Sequence, residues 1–137
     1  MSASLLIAAI AAVIFGLGLI HLIYTFRGTK LHPRDAALQA QMAAAHPVLT
    51  RQTTMWKAWV GFNASHSAGA LLFGAVYGYL ALAHGGFLFA SPFLLALGAL
   101  LLSGYIALGK LYWFSVPYRG ILLAAALYAA GLITGLI

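Results

Sequence analysis

Long apolar runs along the chain are interrupted by one extended polar stretch and two short breaks. Apolar residues dominate from Ala3 to Phe26, then over about 56–83, 92–109 and 118–137. Each run reaches or approaches the roughly 20 residues an α-helix needs to cross a hydrocarbon core of about 30 Å. The pattern predicts an all-α fold: a four-helix transmembrane bundle forming a single domain, with spans one and two joined by a loop over 27–55. His84-Gly85-Gly86 reads as a tight turn, so the second and third spans should be antiparallel neighbours. Ser91-Pro92 and Pro117 supply starts for the third and fourth helices, since proline suits the first helical turn.

Within the polar stretch, Pro33 can open a short helix, Asp35 suits its positive end, and Leu38 and Met42 recur one turn apart. A short cytoplasmic surface helix is therefore expected between spans one and two. The first apolar run has no Lys or Arg before it and exceeds the 7–15 residues of a typical signal-peptide core, so it is expected to remain as an anchor.

Composition agrees with a life in lipid. Of 137 residues, 64% are hydrophobic and 6% charged, against about 25% charged in soluble domains, and the mean hydropathy is +1.02. The formal charge of +6 does not point to nucleic acid, because the basic residues stand at the ends of apolar runs instead of along one exposed face. Arg27, Lys30, Arg34, Arg51 and Lys57 bound the first loop, and Lys110 and Arg119 bound the third connection. All seven fall on one side. The positive-inside rule then puts residues 27–55 in the cytoplasm and both termini outside, in a multi-pass protein of a bacterial inner membrane. Trp56, Trp59, Tyr112 and Trp113 would form an aromatic belt on the basic side, with the charges reaching lipid headgroups.

Polar groups inside apolar spans carry the functional information, because an unpaired polar side chain in hydrocarbon is costly and normally faces the bundle interior. At about 1.5 Å per residue, His21 lies roughly 9 Å in from Arg27, Asn63 a similar depth from Lys57, and His66 roughly 14 Å. Ser103 and Tyr105 approach the same layer from span three. Asn63, Ser67, Ala70, Gly74 and Gly78 share one helical face with His66 at its edge, and Gly18, His21 and Thr25 share another; these faces are expected to meet. The candidate pocket is His21, Tyr24, Asn63, His66, Ser67 and Tyr105. Gly74 with Gly78, and Gly131 with Gly135, match the small-xxx-small pattern of close helix packing, within the bundle or between copies.

Catalytic readings find little support. Cysteine is absent, which removes disulfides, thiolate metal sites and thiol nucleophiles. Asp35 is the sole acidic residue and lies in the loop, so paired-carboxylate chemistry is closed and no span offers an acid to orient a triad histidine. Ser65, His66 and Ser67 are helix neighbours whose side chains diverge.

The stretch Trp56-Lys57-Ala58-Trp59-Val60-Gly61-Phe62-Asn63-Ala64-Ser65-His66-Ser67, followed by Gly69 and Phe73-Gly74, resembles the signature of a family of small bacterial four-span membrane proteins with no established activity. The resemblance implies the four-helix fold and brings no catalytic residue. In length, layout and Thr25-Phe26-Arg27, the chain is also faintly similar to the small scaffold proteins of eukaryotic sterol synthesis.

The leading expectation is a non-catalytic membrane module that needs no cofactor. It would bind membrane lipids, a lipid-like ligand or a partner membrane protein through the polar pocket. One alternative is an electron carrier holding haem b between His21 and His66. The other is a homo-oligomeric channel or transporter for small solutes, suggested by the glycine-rich spans.

Overall fold

The computed structural model describes residues 2–136. Six helices follow one another: α1 (Ala3–Phe26), α2 (Ala36–Ala44), α3 (Met55–Ala83), α4 (Gly85–Phe89), α5 (Pro92–Tyr112) and α6 (Ser115–Leu136). Among the described residues there is no strand. α1, α3, α5 and α6 are each long and apolar enough to cross a membrane, as the hydropathy pattern requires.

Several boundaries depart from the sequence reading for local reasons. Pro33 does not open the surface helix. α2 begins after Asp35, whose carboxylate accepts a 2.8 Å bond from the Ala37 amide and so caps the first turn. The expected turn at 84–86 becomes the short helix α4, and Ser91 then caps α5 by accepting from the Leu94 amide. α6 starts at Ser115, ahead of Pro117. The first four amides of a helix have no partner inside it, so a proline in its first turn forfeits no bond.

The chain divides into two compact units. One comprises the described residues up to Leu17 together with those from Ala70 onward, and the other is Gly18–Gly69.

In the first unit the core is built from Ile7, Ile10, Ala11 and Ile14 of α1, Ala70, Phe73, Tyr77 and Ala81 of α3, Leu88 of α4, Leu95 and Leu102 of α5, and Ile121, Ala124 and Tyr128 of α6. The α1, α3 and α6 sets recur at three- and four-residue intervals and the α5 pair at seven, so each forms one stripe of its helix. Glycines set how closely the helices approach. A Cβ on Gly74 would stand 2.7 Å from the Ala11 carbonyl oxygen and 2.9 Å from the Phe15 nitrogen, so α3 lies directly on the α1 backbone there. Gly131 faces Ile7 and Leu6 of α1, and Gly135 faces the Phe89 ring of α4 and Ala3 of α1, so this glycine pair serves packing inside the chain.

Gly98 of α5 has a second use. Tyr77 donates a 2.6 Å hydrogen bond to the Leu94 carbonyl and Tyr128 a 2.7 Å bond to the Leu95 carbonyl, and both rings crowd the place a Gly98 side chain would fill. The missing Cβ opens the flank of α5 to two phenols from neighbouring helices. Both tyrosines are 3% exposed, so these bonds satisfy hydroxyls that neither water nor lipid could.

The second unit contains the end of α1, the connecting segment with α2, and the first half of α3. Gly28, with φ of +78°, turns the chain sharply after α1. That left-handed conformation suits glycine because no Cβ meets the following carbonyl. The segment then folds back over the start of α3. The Trp59 indole donates to the Leu31 carbonyl at 3.0 Å, and the His32 ring meets Trp56 edge to face at 4.8 Å.

Candidate functional site

Within the second unit, two helix columns meet. On α3, Trp59, Asn63 and Ser67 stand at successive four-residue steps; on α1, His21 and Thr25 do the same. Asn63 links the columns. Its amide Nδ2 donates to the Trp59 carbonyl at 2.8 Å, and its Oδ1 lies 2.9 Å from His21 Nε2. A carbonyl oxygen only accepts, so His21 must carry its proton on Nε2. In the neutral ring Nδ1 is then left as an acceptor.

Hydroxyls nearby bond back to carbonyls of their own helices. Thr25 donates to the His21 carbonyl at 2.8 Å, and Ser67, fully buried, donates to the Asn63 carbonyl at 2.9 Å. Ser65 donates to the Phe62 carbonyl at 3.0 Å. Both serines flanking His66 therefore bond the backbone of their own helix. The His66 ring packs edge to face on His21, centroids 5.4 Å apart and planes at 83°.

Polar contacts run in series from this pair toward the connecting segment: His21 to Asn63, Asn63 to the Trp59 carbonyl, and the Trp59 indole to the Leu31 carbonyl. Beside the series lies a shallow crevice with about 170 Å³ of open space, lined by Thr25, Leu31, His32, Trp56, Trp59, Val60 and Asn63. It is a surface notch with no enclosed room for a water molecule. Arg27, Lys30 and Lys57 flank its lining residues in sequence, and all three are exposed.

Four of the six sequence candidates, His21, Asn63, His66 and Ser67, are brought together. Tyr24 is 40% exposed and does not line the crevice. Tyr105 belongs to the other unit, where its ring packs 5.8 Å from Trp113. Trp56, Trp59 and His32 join the site although sequence reasoning gave the tryptophans only a belt role and left His32 aside. The i, i+3 and i, i+7 spacing of Trp56, Trp59 and Asn63 was the available signal.

A bis-histidine haem requires two imidazole nitrogens aimed at one iron from opposite faces of a porphyrin. Here His21 directs Nε2 at Asn63, and the two rings touch edge to face with no flat slot between them. Among the described residues no three His, Cys, Asp or Glu side chains gather into a metal site.

Fold and site together define a helical protein with four membrane-crossing candidates and a tryptophan-walled polar cluster shared by two of them. Compared with protein-family models, curated proteins and solved structures, the chain finds no match.

Proposed function

We propose that this is a non-catalytic protein of a bacterial inner membrane that binds an anionic lipid-like ligand across the Trp56–Trp59 crevice. The segment 27–55 with α2 lies in the cytoplasm and both termini outside, an orientation supported by the one-sided placement of all seven basic residues. The observation that carries the reading is the hydrogen-bond series from His21 through Asn63 and Trp59 to Leu31, which anchors the Trp59 indole beside the crevice, while the His32 ring packs on Trp56 along the same wall. Such a surface suits an amphiphile: indoles pack on its upper acyl and glycerol region, while Arg27, Lys30 and Lys57 meet its negative headgroup. The notch is too narrow to engulf a ligand, so the headgroup lies across its mouth.

Gentle extraction followed by native mass spectrometry tests this directly. The wild-type chain should retain an anionic phospholipid. Lys30→Ala with Lys57→Ala should lower retention about thirtyfold, taking roughly 1 kcal/mol per basic residue near an anionic surface. Equal retention by the variant, or recovery of a partner membrane protein in place of lipid, would overturn the lipid reading.

A further inference from the structure

The ten-residue connection after α2 is a closed finger with an apolar tip. Its neck is pinned twice: the Met55 amide donates to the Ala45 carbonyl at 2.9 Å, and His46 Nδ1 donates to the Thr53 carbonyl at 2.7 Å. Between them the Thr50 amide bonds the Pro47 carbonyl at 3.2 Å, and the Gln52 amide bonds the Thr50 hydroxyl at 3.1 Å. A polar loop held this way would turn its polar side chains outward. This one presents Val48 and Leu49, 109% and 92% exposed, the highest exposures among the exposed large apolar residues. Most of the other exposed large apolar residues lie on the four candidate spans, where a bilayer would cover them. Val48 and Leu49 lie outside every span, so the crossing of the bilayer by the spans does not by itself account for their exposure.

We infer that this finger dips into the adjacent anionic leaflet, with Val48 and Leu49 entering the boundary between headgroups and acyl chains. Three observations choose lipid over a protein partner. The first is reach. α3 has 29 residues and is about 43 Å long, close to the full bilayer thickness of about 40–45 Å with headgroups, so Met55 sits within the headgroup layer. The tip is three residues from the neck at Ala45, a reach of up to about 10 Å, while the headgroup layer is only about 5–8 Å deep on each side. The second is charge. Arg51 lies in the finger and Arg27, Lys30, Arg34 and Lys57 in the stretch around it, while the one acid of that stretch, Asp35, is engaged in capping α2; this complements an anionic surface. The third is rigidity: two bonds across the neck remove much of the ordering cost an open loop would meet on insertion.

The inference shares Arg27, Lys30 and Lys57 with the crevice reading but uses neither Asn63 nor the tryptophans, so the two can fail independently. It can be tested on the full chain reconstituted in nanodiscs. No native cysteine is present, so Val48→Cys creates the only thiol, and Gln41→Cys on exposed α2 serves as reference. The probe is a charged, membrane-impermeant thiol reagent and the readout is its reaction rate. In discs containing phosphatidylglycerol, Val48→Cys should react roughly tenfold more slowly than Gln41→Cys, the bias expected from burying one aliphatic side chain. Adding Leu49→Asp should restore the fast rate, and Asn63→Ala should leave the slow one unchanged. Equal rates at positions 48 and 41, protection that survives Leu49→Asp, or protection that appears only when another protein is added would overturn the inference.

Discussion

His21 Nε2 and Asn63 Oδ1 stand 2.9 Å apart across α1 and α3, and the amide that holds them is oriented independently by its bond to the Trp59 carbonyl. The pair therefore fixes both the side-chain register of two helices and the tautomer of the histidine. Nitrogen NMR should find the His21 proton on Nε2. Glutamine carries an amide donor near the position of Nε2, so His21→Gln should keep the stability of the parent, whereas His21→Ala and Asn63→Ala should each lose about 0.6–1.7 kcal/mol in detergent unfolding. Equal losses for His21→Gln and His21→Ala would show that the bond contributes nothing.

Trp59→Phe separates the indole bond from the ring. Phenylalanine keeps most of the packing and loses the donor to Leu31. Amides over 29–35 should exchange with solvent about fivefold faster, the scale of one lost hydrogen bond, while those of the spans stay unchanged.

The spans and the meeting of the His21 and Asn63 faces are legible in the sequence because polar groups are scarce in apolar runs; which of the polar groups at that depth bond to each other is not. Where a span carries only apolar residues, which face is buried is not legible. Core residues such as Ile10 and exposed ones such as Ile20 are equally apolar, so the usual helical alternation disappears. The tyrosines divide for a related reason. Tyr24 and Tyr105 share a depth with the histidines, but depth says nothing of direction. Tyr77 and Tyr128 instead bond backbone carbonyls, which leave no mark in the sequence. The crevice escapes sequence reading because it depends on a left-handed turn at Gly28 and on the Leu31 carbonyl.

Gly98→Ala should destabilise the chain through the Tyr77 and Tyr128 rings, which would have to yield to the new methyl. Gly74→Ala should cost more, because its Cβ meets backbone atoms of α1 that cannot rotate away. Overpacking of this kind costs about 1–3 kcal/mol. Thermal unfolding of the two variants should rank Gly74→Ala as the less stable; the reverse order would mean that the α1–α3 approach is softer than the backbone contact implies.

Added haem should not produce the low-spin spectrum of two axial imidazoles, because His21 Nε2 is engaged with Asn63. Titration of the purified chain followed by absorbance spectroscopy checks this. A stoichiometric low-spin Soret band abolished by His66→Ala would show that the histidine pair can rearrange to hold iron.

The central claim is that the crevice held by the His21–Asn63–Trp59 series receives an anionic lipid. Native mass spectrometry of the wild-type chain beside Lys30→Ala/Lys57→Ala, after extraction from the same membrane, tests it most directly. The expected result is a retained phosphatidylglycerol-like mass on the wild type and its near disappearance from the variant. Identical lipid occupancy on both, with the fold intact, would contradict it.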